Sequence, residues 1–333
     1  MRAVRVVAPD VVEIADVREP SSRDVYEVVV DQVGICGTDT KILAGEIPVR
    51  YPRIMGHEMV GRVESAPPEA HFATGSRVLV DPGVACGWCD LCMAGRNHLC
   101  RNGGLMGRDV DGAFTERVLV PESRLVPVPE SISRKASGLL QVLGTCVHAM
   151  KTIDLFPGQV AAVIGLGVAG QLLTQLLALS GATVVGVTRS EWKRELAKEN
   201  GASDAADPAG AEGLLEELTE GRGPALVVEA VGLEATLAQA IEMVGIGGEI
   251  LAFGTIIGGV AGLPYYHLYH KELTLHSPRA AVIEDYVDAV ALAAGGAVQL
   301  EPIVTHELSL EDAAKAFQLV QDSSALKVLM KVS

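Results

Sequence analysis

The stretch VAAVIGLGVAGQLLTQLLALSGATVVGVTRS, residues 160–190, passes from a short apolar run through three glycines into a helical pattern and back to an apolar run. Val160–Ile164 is uncharged and rich in β-branched residues, which predicts a strand buried on both faces. Leu172, Leu173, Leu176, Leu177 and Leu179 supply the apolar face of the helix that follows. Between the two, Gly165, Gly167 and Gly170 form G-x-G-x-x-G at the mouth of that helix. Six such residues alone are a weak signal, but their setting gives them meaning. The glycines permit a tight turn and close backbone approach to a pyrophosphate, and the helix N-terminus attracts the anion. The plain alternative is a glycine-rich turn that only packs helix on sheet. The setting favours a dinucleotide held by Gly165, Leu166, Gly167, Val168, Ala169 and Gly170.

The end of the second strand discriminates between cofactors. An NAD site usually carries a carboxylate about 20 residues after the glycines, accepting hydrogen bonds from the ribose 2′-hydroxyl. Here the strand ends in Thr188, Arg189 and Ser190, with Lys193 close behind. A guanidinium can clamp a 2′-phosphate bidentately where a carboxylate would repel it. NADP(H) is therefore expected. NAD(H) is the alternative, with Glu191 on the ribose and Arg189 and Lys193 merely solvated.

Downstream the same rhythm continues: ALVVEA then LEATLAQAIEMV, and GEILAFG after GIGG. Alternating strands and helices of this kind build a parallel, doubly wound α/β sheet. IEDYVDAVALAAGG and LEDAAKAFQLVQ read as helices flanking the strand EPIVTHELS, with Ser309 and Asp312 an acceptable helix start. Up to about residue 130 the chain is instead a series of short β-rich runs (VRVV, YEVVV, GRVES, SRVLV, ERVLV) broken by Gly and Pro, which suggests a strongly bent β domain. Its exit is marked by Pro121, Pro127 and Pro129. A chain of 333 residues accommodates two such domains. A formal charge of −15 works against nucleic acid, which needs a basic face. The start MRAVRVVAPD has no signal-like apolar run and no stretch reads as a membrane span, so a cytoplasmic protein is expected.

Four of the six cysteines lie in CGWCDLCMAGRNHLC, at Cys86, Cys89, Cys92 and Cys100. Thiols two residues apart converge on an ion more readily than they pair, and the cytoplasm keeps them reduced. The bacterial iron–sulfur run would place its fourth cysteine after three residues and before proline; here the gap is seven and Arg101 follows. Four thiolates close a tetrahedral site, so a structural zinc that folds the loop is expected. Two further turns, GICGTDTKI and PRIMGHEMVGRV, offer Cys36, Thr38, Asp39, His57 and Glu58. A lone Cys or His is usually a core residue. Thiolate, imidazole and carboxylate together make a plausible zinc site of three protein ligands with an exchangeable position.

With these residues in hand, the chain resembles the zinc-containing medium-chain dehydrogenase/reductase family, which includes alcohol, polyol, sugar and threonine dehydrogenases. The resemblance runs in order through GICGTD, GHE, the C-x2-C-x2-C-x7-C lobe, GLGVAG, VVEAVG and PIVTHELSLEDAAKAF. It implies a β-rich GroES-like catalytic domain from residues 1–143 and 279–333 and a Rossmann cofactor domain over 144–278. It implies further that Cys36, His57 and Glu58 hold a catalytic zinc, Glu58 able to move off it. Thr38 would pass the substrate proton outward and Asp39 would back His57. Ala230, Val231 and Gly254 would join the cofactor site. Counting back from Val147-His148-Ala149 puts Gln141 where polyol and threonine dehydrogenases have Glu, so Gln141, directly or through water, is the expected third ligand. Cys146 is the softer ligand but lies five residues too far along and reads as a buried thiol.

The implied reaction is metal-assisted hydride transfer between NADP(H) and a secondary alcohol, polyol or sugar and its ketone, by a homotetramer or homodimer. Two competitors stand beside it: a zinc-free reductase of quinone or enoyl type, and a cofactor-binding relative without turnover. Arg108, Asp109, Asp111, His276, Arg279 and the run YYHLYH are unusual features without an assigned part; Arg108 or Arg279 could meet a phosphate or carboxylate.

Overall fold

The computed structural model describes residues 1–322, 325–332. The chain divides into two compact units: Met1–Gly144 with Ala280–Gly296 and residues 300 onward, and Thr145–Arg279 with Ala297–Gln299. The three-residue excursion has a local cause. The Gln175 side-chain amide donates to the Gln299 carbonyl at 2.9 Å and accepts from its N–H at 2.6 Å, tying that segment to the second unit.

In the second unit six parallel strands alternate with helices. Numbered within the unit, they are Val160–Ile164, Thr183–Val187, Asp204–Ala206, Leu226–Glu229, Glu249–Ala252 and Thr274–His276, in the spatial order 3-2-1-4-5-6. That order is the doubly wound dinucleotide-binding topology. The central strands are buried along nearly their whole length, as a sheet covered on both faces requires. Helix Val168–Leu179 buries Leu172, Leu173, Leu176 and Leu177; Leu179, its last residue before the turn at Ser180, is exposed, contrary to the apolar face expected of it. The run YYHLYH is a short helix, Tyr265–His270.

The first unit is built around a bent sheet of seven strands. Leu125–Pro127, Arg77–Val80, Glu58–Ser65, Tyr26–Gly34, Lys327–Lys331 and Val304–Ser309 are neighbours in that order, and Arg117–Val120 also pairs Tyr26–Gly34. Its core includes Val28, Val30, Val33, Met59, Val63, Phe114 and Phe317. One sequence expectation needs correction here. The Ser309 hydroxyl meets the Asp312 carboxylate at 2.9 Å and starts only a 3-10 turn, Leu310–Asp312; the α-helix begins at Ala313 with Asp312 as its N-cap residue. A side chain spent on another side chain leaves the helical N–H groups uncapped, so the helix starts one turn later.

Candidate active site

Cys36 is the N-cap residue of helix Gly37–Leu43, and His57 sits on the turn that leads into strand Glu58–Ser65. The ligand atoms of Cys36, His57 and Glu58 all lie within 4.8 Å of one another, with His57 and Glu58 buried. Asp39 ties the two turns together. One of its oxygens accepts the Cys36 N–H at 2.9 Å; the other accepts the Gly56 N–H at 3.4 Å and lies 3.6 Å from His57 Nδ1. Nδ1 is otherwise a buried atom without a hydrogen-bond partner. A carboxylate behind Nδ1 leaves Nε2 to face an ion, the arrangement that metal-bound histidines need. Burial pushes the Cys36 thiol up, but the neighbouring His57 outweighs it and brings the thiol below its ordinary range. Burial lowers the His57 imidazole, and Asp39 and the Cys36 sulfur more than reverse that. The result is a thiolate and an imidazole competing for one proton, a position a divalent metal takes by displacing it.

Thr38 lies half-buried on the first turn of the same helix, beside Asp39. Glu58 meets a partner that the sequence did not suggest: the buried Lys327 ammonium contacts its Oε2 and also donates to the Ile35 carbonyl at 3.2 Å. Gln141, buried near the start of helix Leu140–Met150, donates from Nε2 to the Tyr286 hydroxyl at 3.3 Å. One of its two N–H donors is thereby engaged, which orients the amide, and its carbonyl oxygen is the end that accepts. Cys146 is fully buried near the Ala169 carbonyl, and burial pushes its thiol up, the condition of an inert core cysteine.

The second cysteine group is geometrically distinct. Sγ separations of 3.5 Å for Cys89–Cys92, 3.9 Å for Cys89–Cys100 and 4.0 Å for Cys86–Cys92 are far too long for disulfides. They match the edge of about 3.8 Å that a tetrahedron of ~2.3 Å zinc–sulfur bonds requires. The backbone N–H groups of Arg101 and Cys92 pull the Cys89 thiol down, favouring the thiolate.

In the second unit, Gly165 adopts φ +94°, a left-handed conformation that favours glycine, and its N–H donates to the Val187 carbonyl at 2.9 Å. A Cβ on Gly165 would strike Val231, and one on Gly170 would strike the Gly165 carbonyl. The turn therefore brings Gly165 against Ala230 and Val231, with Gly167 as the N-cap residue and Leu166 buried beneath. Val168 and Ala169 form the first turn of the helix, an end whose N–H groups have the chemistry to receive an anion. Gly254 packs against Gly232. The residue that sequence reading missed is Glu229, wholly buried at the end of its strand. Its Oε1 accepts from the Val231 and Gly232 N–H groups at 2.9 Å each and from the Thr236 hydroxyl at 2.7 Å, fixing the loop beside the glycines. A charged residue closing an apolar strand, VVE, was the available signal.

At the second strand's end, the Arg194 guanidinium holds the Thr188 and Arg189 carbonyls at 2.9 and 3.1 Å. The Arg189 side chain is exposed, Ser190 is the N-cap residue of helix Glu191–Glu199, and the Lys193 ammonium lies 5.4 Å from the Trp192 ring centre. Glu191 is exposed on the first helical turn. His276 pairs with Glu249 at 2.9 Å at the sheet edge.

Comparison with known proteins bears on both units. Residues 23–130 match the alcohol dehydrogenase GroES-like domain and residues 168–295 the zinc-binding dehydrogenase domain. D-xylulose reductase A of Aspergillus oryzae is 28% identical, covering 93% of this chain and 91% of its own. Among solved structures, alcohol dehydrogenase TADH from Thermus sp. ATN1 is 32% identical with a TM-score of 0.93, covering 100% of both chains. A zinc-binding dehydrogenase from Sinorhizobium meliloti 1021, solved with NADP bound, is 31% identical with a TM-score of 0.91 over 99% of each chain. Among the described residues no helix is long and apolar enough to cross a membrane. With both domain matches in sequence order and cysteine, histidine and carboxylate gathered as a zinc centre needs, the chain belongs to the zinc-containing medium-chain dehydrogenase/reductase family, the nicotinamide-linked and zinc-dependent oxidoreductases of alcohols.

Proposed function

We propose that the protein interconverts a secondary alcohol, polyol or sugar hydroxyl with its ketone, using NADP(H) and two zinc ions per chain. The observation that carries this is the Cys36, His57 and Glu58 group with Asp39 behind the imidazole. Those three residues would hold the catalytic zinc, with the Gln141 carbonyl oxygen as a neutral further ligand, direct or through water; Cys86, Cys89, Cys92 and Cys100 would hold the structural one. Zinc, when bound, supplies a positive charge that acidifies an alcohol hydroxyl in one direction and polarises a carbonyl in the other.

The chain's own residues do the rest. Asp39 lies behind His57 Nδ1, favouring the tautomer that leaves Nε2 to an ion, and bridges the two turns. Thr38, half-buried beside it, would accept the substrate hydroxyl proton and pass it to water. The Gly165–Gly170 turn binds the cofactor pyrophosphate, and Glu229 holds the Ala230–Gly232 loop in place beside it. The zinc-loaded protein is tested with NADP+ or NAD+ and a panel of polyols, aldoses and simple alcohols, following absorbance of the reduced cofactor. Silence across the panel with both metals present would remove this reading.

Arg189 supports the choice of cofactor, being exposed and anchored at its backbone where a 2′-phosphate would sit. Arg189→Ala is expected to lower kcat/KM for NADP+ by about 10- to 100-fold, the worth of one charge-assisted clamp, and to change NAD+ far less. A wild-type preference for NAD+ would overturn the choice.

A homo-oligomer is supported by the edge strand Thr274–His276, whose outer side has no neighbour in the sheet among the described residues and whose Leu275 is exposed, as are Tyr265, Tyr266 and Tyr269. Sedimentation should give a dimer or tetramer mass, and Leu275→Glu should shift it towards the monomer; a wild-type monomer would count against the assembly. The clustered thiols support a reducing compartment, the cytoplasm.

A further inference from the structure

A cavity of about 380 Å³ in the first unit is lined by Pro48, Val49, Arg50, Arg53, Arg108 and Asp109. None of these takes part in the centre described above, but both chain segments that build that centre run into the cavity wall. Helix Gly37–Leu43, capped by Cys36, leads to Pro48–Arg50, and Arg53 lies four positions before His57. Four residues span at most about 14 Å, so the Arg53 and His57 backbones are no further apart than that. The Arg108 loop is fastened to the same turn: the Gly112 N–H donates to the Ile54 carbonyl at 2.7 Å and the Ala113 N–H to the Gly56 carbonyl at 2.9 Å.

The charges in the cavity are unequal. Three guanidinium groups face one lining carboxylate, and that carboxylate is already engaged: Asp109 Oδ2 accepts from Arg108 Nε at 2.8 Å and from the Leu105 N–H at 2.7 Å. Arg53 binds Asp111 through Nη1 at 2.8 Å, yet its Nε is buried with no acceptor among the described residues. Arg50 is exposed and, among the described residues, has neither an ion pair nor a hydrogen bond. A solvated surface arginine needs no explanation, but a buried guanidinium N–H without an acceptor does, and a bound oxyanion would supply one. A carboxylate is filled by a single bidentate arginine, whereas a phosphate has oxygens for more than one guanidinium.

We propose that this cavity is an oxyanion subsite of the active centre and that the substrate is a polyol or sugar bearing a phosphate monoester remote from the reacting hydroxyl. This rests on the dehydrogenase reading above. Arg50 is the freest contact, Arg53 contributes its buried Nε, and Arg108 closes the third side.

The test compares a neutral hexitol, its terminal phosphate monoester and the matching aldonate of one configuration, with zinc-loaded protein and NADP+. The phosphate ester is expected to have the highest kcat/KM. Arg50→Ala should reduce the ester-to-hexitol ratio by about 10- to 100-fold, and Arg50→Lys, which keeps charge but not the fork, should fall between. A wild-type ratio near one, a ratio that Arg50→Ala leaves intact, or a preference for the aldonate would each overturn the assignment while leaving the dehydrogenase reading in place. If no compound is oxidised the dehydrogenase reading fails instead, and calorimetry with inorganic phosphate decides the subsite. Phosphate binding weakened about tenfold or more by Arg50→Ala supports it; no binding, or binding indifferent to Arg50, overturns it.

Discussion

Cys36→Ala is expected to reduce turnover at saturating alcohol by at least about a thousandfold and to lower the metal content from two zinc ions per chain to one. The magnitude follows from the role of the metal: stabilising charge on a reacting oxygen is worth several kcal/mol, and about 4 kcal/mol is a factor of a thousand. The selectivity follows from geometry. Cys36, His57 and Glu58 form one group and Cys86, Cys89, Cys92 and Cys100 another, with no residue in common. Loss of Cys36 leaves an imidazole, a carboxylate that is also held by Lys327 and the neutral Gln141 oxygen, too weak a set to retain zinc against a chelator. Elemental analysis checks the metal count, steady-state kinetics the rate, and cofactor titration by fluorescence that the nicotinamide site is intact. Full turnover with one zinc would revive the zinc-free reductase. Two zinc ions retained in Cys36→Ala would remove Cys36 from the ligand set.

Lys327→Met is expected to destabilise the zinc-free protein by about 3–5 kcal/mol, the cost of leaving a buried carboxylate without its counter-charge. Both partners are almost inaccessible, with side chains 2% exposed each. Lys327→Met with Glu58→Gln should recover most of the loss, because the uncompensated charge is then gone as well. Zinc should blunt the single-variant effect by supplying positive charge beside Glu58. Urea unfolding of the four proteins with and without metal measures all of this. A single variant no less stable than wild type would show that the contact contributes nothing. Failure of the double variant to recover would mean that Lys327 acts through packing of its stem.

What could be read in the chain, and what could not, divides by the distance over which the physics acts. The glycine turn was legible because its constraints are local: Gly165 needs its positive φ and Gly170 its missing Cβ within six residues of one another. The four-thiol lobe was legible for the same reason, since spacing alone confines four sulfurs to one small volume. Cys36 and His57 lie on separate turns, and nothing local in either says that they meet; their ligand chemistry made a shared zinc site plausible, and resemblance then assigned it. Lys327 and Tyr286 were not legible at all. Lys327 opens the strand Lys327–Lys331 and Tyr286 lies in the helix Ile283–Ala294, and each acquires its part only when that element packs against Glu58 or Gln141, far away in sequence. The Ser309 helix start failed because the capping pattern does not say whether hydroxyl and carboxylate will bind the backbone or each other.

The placement of Lys327–Lys331 between Tyr26–Gly34 and Val304–Ser309, inside the sheet and not at its edge, has a consequence for how the molecule is made. On the ribosome Cys36, His57 and Glu58 emerge well before the strand that completes their sheet, and Lys327, which neutralises Glu58, follows it 269 residues later. The nucleotide-binding unit, contiguous but for three residues, can fold while the chain is still growing. The first unit must hold an open sheet edge until residue 331 has left the exit tunnel, an interval that exposes the edge to aggregation and to chaperones.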